Sequence, residues 1–332
     1  MLKIGLIGCG GIGVMHAECW LMLMEELKDV KLVAIAEPNV ARAQKYADNY
    51  GVKLYTDGNE MLEKEELDVV DICLPTFLHA RYLCKAMQHV HNVIVEKPLC
   101  LHEEEAQQIL DTEKATGALV QVAHVMRYEA PTRYIKELID SGKYGKVITA
   151  NLPRLSPRPT WMRGHDDINV SGTVVLDLHI HDVDYVLYIM GREPDDVKVW
   201  AIKDENGVVQ HLKTCYVYGD QYVSSEASWD YPASFPFTCP LRVRLEKAAV
   251  TMESSGKVTV YPFEGDAFSP EMPAPITKDI GINMSDMRPY IDELRDFVQV
   301  IRSGSNKGAV TLAEAAAAFR LARKELELAL EG

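Results

Sequence analysis

Residues 177–184 read DLHIHDVD and place two histidines and three aspartates within eight positions of an otherwise apolar run. Imidazole and carboxylate groups can bind a metal ion, transfer protons, or simply cover a solvated helix face. If the run is an α-helix, which turns by about 100° per residue, one polar stripe results, made of Asp177, His181, Asp184 and Tyr188. The opposite side is apolar and is predicted to face the core: Val183, Val186, Leu187 and Met190.

The helical stripe separates the three interpretations. Residues two apart on a helix point about 160° away from each other, so His179 and His181 cannot share a metal ion. Asp177 and His181 could share one, but two ligands make a poor site, and we expect no metal here. For proton transfer, His181 can accept a proton near neutral pH while Asp177 holds its ring or a substrate hydroxyl. A solvated stripe on the helix surface stays open as the structural alternative.

A glycine-rich turn lies near the start of the chain, where GCGGIG follows an apolar strand and opens a helix. Such glycines allow a tight turn, close approach of backbone to a pyrophosphate, and close packing of helix on strand. The helix N-terminus offers N–H groups and a positive dipole end to the anion. The predicted phosphate-binding residues are Gly8, Gly10, Gly11, Ile12 and Gly13; a glycine-rich turn that binds no nucleotide is the alternative.

Glu37 ends the second predicted strand, near the expected spacing of about 20 residues from the glycines. A carboxylate there accepts hydrogen bonds from an adenosine ribose and repels a 2′-phosphate. The sequence therefore favours NAD over NADP as the cofactor.

The third predicted strand ends in ICLPT, and a helix follows. Ligands bind at the carboxyl ends of strands in open parallel sheets. We therefore expect cofactor contacts from this turn, from Leu74, Pro75, Thr76 and His79. An ordinary turn between strand and helix is the alternative.

The next strand ends in Glu96-Lys97-Pro98, at the same predicted edge of the sheet. The Lys97 ammonium can hydrogen-bond a substrate oxygen and stabilise negative charge that develops on it. Glu96 and Lys97 are also candidates for cofactor contact, and Pro98 fixes the backbone that follows. A surface lysine before a helix is the alternative.

The hydrophobic pattern predicts two domains that position these residues. Over residues 1–123, apolar runs alternate with helical patterns, which indicates an α/β domain with a doubly wound parallel sheet; its strands are expected at 3–8, 31–37, 68–74, 92–96 and 118–123. Residues 124–332 are predicted to form an α+β domain with a large, mainly antiparallel sheet and flanking helices, because period-two runs follow one another between residues 197 and 263. Its helices are expected at 130–141, 173–190, 287–303 and 311–330, with a loop over 263–284.

Composition limits the classes of partner. The chain has 35 basic and 49 acidic residues, a formal charge of −14, which disfavours nucleic acid and anionic membranes as partners. We expect no membrane span, since no run reaches about 20 apolar residues. The opening MLKIGLIG reads as a strand without a signal peptide, and the seven cysteines lack CxxC pairs. We therefore expect reduced thiols and a cytoplasmic location.

Four motifs in this order resemble the Gfo/Idh/MocA oxidoreductase family, which includes glucose–fructose oxidoreductase and inositol dehydrogenases: GCGGIG, LPTFLH, EKP and D-x-x-x-H from Asp177 to His181. The resemblance covers essentially the whole chain. It implies an N-terminal Rossmann domain and a C-terminal domain whose large antiparallel sheet often serves oligomerisation.

The resemblance also implies the chemistry. Lys97, Asp177 and His181 would surround the reacting carbon of a sugar, cyclitol or related polyol. His181 would take the hydroxyl proton, Lys97 would polarise the oxygen, and Asp177 would orient the substrate while hydride passes to or from NAD. The family commonly has glycine two residues after the Asp, where this chain has His179. A catalytically silent NAD-binding sensor and a metal-dependent hydrolase or lyase are the alternative functions.

Substrate contacts are expected from three segments near the start of the second domain. Met126 and Arg127 follow the last parallel strand, although Arg127 could equally form a structural ion pair. The loop over 154–172 contains Trp161, a candidate for recognising sugar hydroxyls, and the helix after it contains Asp184. The same loop could instead line a subunit interface.

Aromatic residues in the later sheet suggest a second copy of the chain as a partner. We expect a homodimer or homotetramer formed through Trp200, Tyr216, Tyr218, Tyr222 and Trp229. Packing of that face on the terminal helices is the alternative.

Overall fold

The computed structural model describes residues 1–159, 172–280, 286–304 and 310–331, and these form two compact units. The first combines Met1–Tyr128 with Pro275–Ala316, and the second combines Glu129–Ala274 with Ala317–Gly332. Part of the chain after residue 274 thus groups with the first unit, whereas the sequence pattern assigns it to the second domain.

Six parallel strands form the sheet of the first unit in the described residues: β1 (Leu2–Ile7), β2 (Val30–Ala36), β3 (Lys53–Tyr55), β4 (Val69–Ile72), β5 (Asn92–Glu96) and β6 (Leu119–Ala123). Their order is β3-β2-β1-β4-β5-β6, that of a doubly wound dinucleotide-binding fold. The predicted parallel sheet is confirmed. The sequence pattern misses β3, because its three partly exposed residues are too few to form an apolar run.

Helices cover this sheet, which explains why its central strands are apolar on both faces. All four residues of β4 are buried. The covering helices of this part of the chain are α1 (Gly11–Leu27), α2 (Gln44–Tyr50), α3 (Gly58–Lys64), α4 (His79–His89) and α5 (Glu103–Thr116).

Seven strands form the sheet of the second unit in its described part: β7 (Val147–Pro157), β8 (Asp196–Lys203), β9 (Val209–Tyr218), β10 (Gln221–Tyr231), β11 (Leu241–Leu245), β12 (Ala248–Met252) and β13 (Val258–Pro262). Their order is β13-β12-β11-β7-β10-β9-β8, and the pairs are antiparallel except β7 with β10. The mainly antiparallel sheet is confirmed. The predicted loop over 154–172 begins later than expected, because β7 continues to Pro157.

Two helices of the second unit are α6 (Ala130–Asp140) and α7 (Ile180–Met190), and a wide π-helical segment, Val174–His179, leads directly into α7. The prediction of one regular α-helix over 173–190 is therefore wrong in its first half. A π-helix bonds residue i to residue i+5, so it rotates less per residue than an α-helix. This changes the angular position of Asp177 relative to the residues of α7.

The aromatic residues predicted to share the open face of the second sheet lie on two faces. Trp200 and Tyr222 are 60% and 50% exposed, as expected. Tyr216, Tyr218 and Trp229 are buried, with at most 5% exposure, so the prediction is wrong for these three. Alternation along a strand shows which residues share a face, but it does not show which of the two faces the rest of the unit packs against.

After the second sheet, α8 (Arg288–Ser303) packs back on the first unit. Its residues Leu294 and Phe297 lie in one apolar core with Met15 and Trp20 of α1, and all four side chains are fully buried. An ion pair joins the same helices at their surface, with 2.8 Å between Arg295 Nε and Glu26 Oε1. The helix α8 therefore completes the first unit.

The final helix, α9 (Leu312–Glu331), starts with the predicted capping box. The Thr311 N–H donates to Glu314 Oε2 at 3.0 Å, and the Glu314 N–H donates to Thr311 Oγ1 at 3.3 Å. None of the helices in the described residues is both long enough and apolar enough to cross a membrane.

Candidate functional site

The glycine-rich turn is closed by contacts that only glycine allows. Gly8 has φ of +94°, and a Cβ there would lie 2.4 Å from the carbonyl oxygen of Cys73. A Cβ at Gly13 would lie 2.2 Å from the carbonyl oxygen of Gly8. The end of β1, the start of α1 and the end of β4 therefore pack without room for a side chain.

The middle of the same turn is open. Among the described residues, a Cβ added at Gly10 or Gly11 would have no atom within 4 Å apart from its chain neighbours and the nearby backbone of its own helix. Ile12 is partly exposed, and α1 begins at Gly11, where helix N–H groups have no partner within the helix. This arrangement fits a pyrophosphate approaching the backbone at a helix N-terminus.

Glu37 lies beside this turn, held by backbone donors. Its Oε2 accepts the Cys9 N–H at 2.9 Å, and its Oε1 accepts the Asn39 N–H at 3.0 Å. Arg42 Nη1 is 3.6 Å from Oε1, and the Arg42 side chain is 57% exposed. Burial, with Glu37, raises the pKa of the Cys9 thiol to about 11, so the thiol stays neutral. These contacts support the predicted ribose-binding position.

The turn after β4 is fixed by His79 rather than left to solvent. His79 is fully buried, with Nδ1 2.8 Å from the Pro98 carbonyl oxygen and Nε2 2.8 Å from the Leu74 carbonyl oxygen. Burial lowers its pKa. The structure therefore gives His79 a holding role between two backbone segments, whereas Pro75 and Thr76 remain partly or largely exposed beside it.

Lys97 follows β5 at the same edge of the sheet, and its peptide bond to Pro98 is cis. The Lys97 side chain is partly exposed, whereas Glu96 is 5% exposed. Glu96 Oε2 accepts the backbone N–H of Lys97 at 3.0 Å. Because β1, β4 and β5 are neighbours in a parallel sheet, the glycine turn and Lys97 share the edge where ligands bind.

In the second unit, the predicted polar stripe is found only in part. Asp177, His181 and Tyr188 are partly exposed, but Asp184 is fully buried. The predicted stripe assumes a rotation of about 100° per residue, and the π-helical segment before α7 rotates by less, so Asp177 does not lie at the angle expected. Exposure thus favours Asp177 and His181 over Asp184 for contact with a substrate.

The neighbouring Asp182 is not part of the predicted stripe, and it is buried. Its carboxylate accepts two bonds from Arg154 of β7, Nε at 2.9 Å and Nη2 at 3.0 Å. Burial lowers the pKa of Arg154, but the neighbouring groups, Asp182 first among them, together raise it by more. This bidentate pair ties α7 to the sheet.

His179 belongs to a buried network that also includes α9. Its Nε2 lies 2.7 Å from Glu325 Oε2, and Thr214 and Tyr216 donate to the same carboxylate at 2.7 and 2.9 Å. All four side chains are fully buried. His179 is thus an anchor of the turn that precedes α7, which agrees with the choice of His181 as the exposed imidazole.

Of the predicted substrate contacts, Met126 and Arg127 lie in the short turn Val125–Arg127 and are buried. Arg127 Nη1 is 3.0 Å from Glu314 Oε1, which supports the structural ion pair left open by the sequence. Trp161 lies outside the described residues.

Sequence reasoning missed His16 and Asp71, which contact each other beneath the nucleotide-binding edge. The signal was present, since each is a polar residue inside an apolar helix or strand. Glu325 was missed for a different reason, because a single carboxylate within an amphipathic helix looks like a surface residue.

The strand order, the glycine turn and Glu37 define a dinucleotide-binding protein of the doubly wound class. Residues 2–124 match the family model described as an oxidoreductase family with NAD-binding Rossmann fold, and residues 132–251 match the GFO/IDH/MocA C-terminal domain. The chain therefore belongs to the Gfo/Idh/MocA oxidoreductase family, and the resemblance seen in its motifs is confirmed.

Curated relatives include inositol dehydrogenases. The chain is 30% identical over 197 residues to myo-inositol 2-dehydrogenase of Thermotoga maritima, a match that covers 59% of this chain and 57% of that protein. It is 26% identical to inositol 2-dehydrogenase of Rhizobium meliloti, with 99% of both chains covered. A levoglucosan dehydrogenase solved with NADH and levoglucosan has the same fold, with a TM-score of 0.83, 20% identity, and coverage of 99% of this chain and 97% of that one.

Proposed function

We propose that this chain is an NAD-dependent dehydrogenase that interconverts a secondary alcohol and a ketone on a sugar, cyclitol or related polyol. The observation that carries the proposal is the shared edge of the first sheet. There Lys97 follows β5 while the open glycine turn follows β1, with β4 between them. The inositol dehydrogenases among the relatives support the substrate class.

The cofactor is assigned to the first unit. The backbone at Gly10 and Gly11 would hold the pyrophosphate, and Glu37 would accept the ribose hydroxyls, which favours NAD over NADP. The segment from Leu74 to Thr76 and the Glu96–Lys97 pair would line the nicotinamide end. Bound NAD would supply the hydride acceptor for alcohol oxidation.

Three side chains perform the rest of the reaction in this proposal. Lys97 hydrogen-bonds the reacting oxygen and stabilises its negative charge. His181 accepts the hydroxyl proton, which an imidazole can do near neutral pH. Asp177 orients the substrate and the imidazole. A catalytically silent NAD-binding sensor would need none of the three, so their presence favours the enzyme.

As a functional division, we propose that residues 1–123 bind the cofactor and 124–332 bind substrate and form the oligomer. Trp161 is the remaining candidate for substrate contact, since Arg127 is paired and both Met126 and Asp184 are buried. The free cysteines, among them Cys215 and Cys239, agree with a reducing cytoplasm.

We also propose that a second copy covers the open face of the second sheet. Trp200 and Ile202 of β8 are 60% and 59% exposed, and Tyr222 of β10 is 50% exposed. Monomeric proteins seldom leave large apolar side chains so exposed together on one sheet. A homodimer or homotetramer would bury them.

The test is Lys97→Met. The variant should bind NAD as the wild type does but lose about 10²–10⁴-fold in turnover on a panel of polyols and sugars, followed by the absorbance of reduced nicotinamide. Lys64→Met is the matched control, because Lys64 is 61% exposed and pairs with Glu60 within α3. Unchanged turnover in Lys97→Met would refute its role, and a wild type that binds NAD without oxidising any polyol would favour the sensor.

A further inference from the structure

His16 is fully buried, one turn after Gly13 on α1, and joins two adjacent strands of the first sheet. Its Nδ1 lies 2.9 Å from Asp71 Oδ2, and its Nε2 lies 3.1 Å from Glu96 Oε1. Asp71 lies in β4 and Glu96 ends β5, so the imidazole bridges the two strands next to the cofactor edge.

Both ring nitrogens face carboxylate oxygens, which only a doubly protonated ring satisfies with two donated bonds. Burial lowers the pKa of His16, but the neighbouring groups, Asp71 first among them, together raise it by more, so the pKa lies well above its usual value. Two further donors fix Asp71 itself. Trp20 Nε1 is 2.8 Å from Oδ2, and the Cys73 thiol is 3.4 Å from Oδ1.

From α8, Glu293 faces this cluster and is also fully buried, and the Tyr290 ring lies edge-on to His16 with 6.1 Å between ring centroids. Burial, and after it Glu96 and Asp71, raises the pKa of Glu293 well above its usual value, which favours the neutral form of this third acid. The cluster therefore holds one imidazolium between two carboxylates.

Glu96 divides its carboxylate between His16 and the backbone of Lys97. Oε1 faces the imidazole at 3.1 Å, and Oε2 accepts the Lys97 N–H at 3.0 Å. The orientation of this carboxylate is fixed by the imidazole, and the carboxylate in turn fixes the Lys97 backbone. His79 holds the carbonyl of Pro98 on the other side of Lys97.

A metal site is the competing interpretation, since His16, Asp71 and Cys73 offer ligand atoms within 4.8 Å of one another. However, Asp71 already accepts hydrogen bonds from His16, Trp20 and Cys73. The thiol that a metal would need deprotonated has its pKa raised well above the usual value by burial and by Asp71. The hydrogen bonds therefore favour a structural link over an ion.

We propose that His16 is a positioning residue for Lys97, which it acts on through the carboxylate of Glu96. The inference rests on the proposed function of Lys97 as the residue that holds the reacting oxygen. Loss of the link should leave cofactor binding intact but let the ammonium leave its productive position, which lowers the rate of the chemical step.

Two substitutions of His16 each retain one of its two hydrogen bonds and remove the other. In His16→Gln the side-chain amide can occupy the Nε2 position and still donate to Glu96. In His16→Asn the amide can occupy the Nδ1 position, so it donates to Asp71 and loses Glu96. We expect kcat to fall about 10–100-fold in His16→Asn, with KM and the Kd for NAD within about threefold. His16→Gln should retain most of the wild-type kcat.

Equal loss in the two variants, or loss that appears only in KM or in NAD binding, would overturn the proposal. Glu96→Ala interrupts the same link from its other end, since it removes both acceptor oxygens, and should lower kcat as His16→Asn does. Retained kcat in this variant would also overturn it.

A second measurement does not depend on activity. Hydrogen exchange of the Lys97 amide, followed by NMR in the cofactor-free protein, should be faster in His16→Asn than in His16→Gln or the wild type, because that amide bonds to Glu96. Equal exchange in all three proteins would show that no link exists. If the wild type oxidises no polyol, the proposed function fails, and the exchange rates still decide whether His16 holds Lys97.

Discussion

Glu325 and His179, which are 146 residues apart in the sequence, form a buried pair with 2.7 Å between Oε2 and Nε2. The pair joins the last helix to the wide turn that precedes α7. This turn contains Asp177 and leads directly to His181, so α9 stabilises the backbone that presents the proposed proton acceptor.

Removal of this carboxylate should destabilise the protein strongly. Glu325→Ala leaves three buried donors without their acceptor, and we expect a loss of about 3 kcal/mol in the free energy of unfolding. Glu327→Ala, on the same helix but 63% exposed, should change it by less than about 0.5 kcal/mol. Urea unfolding measures both, and similar values for the two variants would contradict the buried network.

The glycine turn should show two separable effects. Gly10→Ala places a methyl group where the described residues beyond its chain neighbours have no atom within 4 Å, and the backbone there, at φ of −76°, suits alanine. We expect unchanged stability but weaker NAD binding, by about tenfold, or about 1.4 kcal/mol. Gly8→Ala should instead lower stability by about 2 kcal/mol because of its positive φ and its contact with Cys73. Calorimetric titration and thermal unfolding distinguish them; unaltered affinity in Gly10→Ala would place the pyrophosphate elsewhere.

Glu37 should decide the choice between the two dinucleotides. Without the carboxylate, the repulsion of a 2′-phosphate is lost and Arg42 becomes available to pair with it. We expect Glu37→Ala to raise the ratio of kcat/KM for NADP over NAD about tenfold. Adding Arg42→Ala to this variant should reverse most of the gain. A wild type that already prefers NADP would show the assignment of Glu37 to be wrong.

Glu293 should make stability depend on pH. Both of its carboxylate oxygens are buried without a hydrogen-bond partner in the described residues, and its pKa is raised well above the usual 4.5 by burial and then Glu96. Between the pKa of Glu293 in the unfolded chain and its higher pKa in the folded protein, only the folded state keeps the proton. The free energy of unfolding of the wild type therefore decreases as pH rises through this range.

Glu293→Gln stays neutral at every pH, so its advantage in unfolding free energy should grow with pH from about 4.5, by up to about 1.4 kcal/mol per unit. Urea unfolding at a series of pH values measures this difference. The control is Glu66→Gln, whose side chain is 96% exposed. A difference that does not vary with pH would show that Glu293 is not a protonated buried acid.

The open face of the second sheet should control oligomeric state. A charge at Trp200 or Ile202 would have to be desolvated in the proposed interface, so Trp200→Glu and Ile202→Glu should lower the molar mass in light scattering. Tyr50→Glu, at a residue 44% exposed in the first unit, should leave it unchanged. A monomeric wild type would contradict the proposed oligomer.

Much of the fold could be predicted because local patterns determine it. Apolar runs such as β4 and the capping box at Thr311 leave direct marks in the sequence. The burial of Tyr216 could not be predicted in this way, because alternation does not show which face of a sheet is covered. The π-helical segment Val174–His179 could not be predicted either, because the spacing of its apolar residues also fits an α-helix.

The candidate site divides along the same line. Glu37 and Lys97 could be located because parallel strands place their carboxyl ends together. The partners of His16 lie 55 and 80 residues away, at Asp71 and Glu96, and nothing local in the sequence indicates such contacts.

The packing of α8 on α1 has a consequence for synthesis on the ribosome. At about 5–20 residues per second, roughly 10–40 s pass between translation of β6 and translation of Ser303. During this interval the apolar side of α1 that Phe297 covers has no partner, while the strands of the other sheet are being synthesised. The nucleotide-binding unit, begun first, is thus completed only after the whole second sheet has been synthesised, and its earliest helix stays partly uncovered until then.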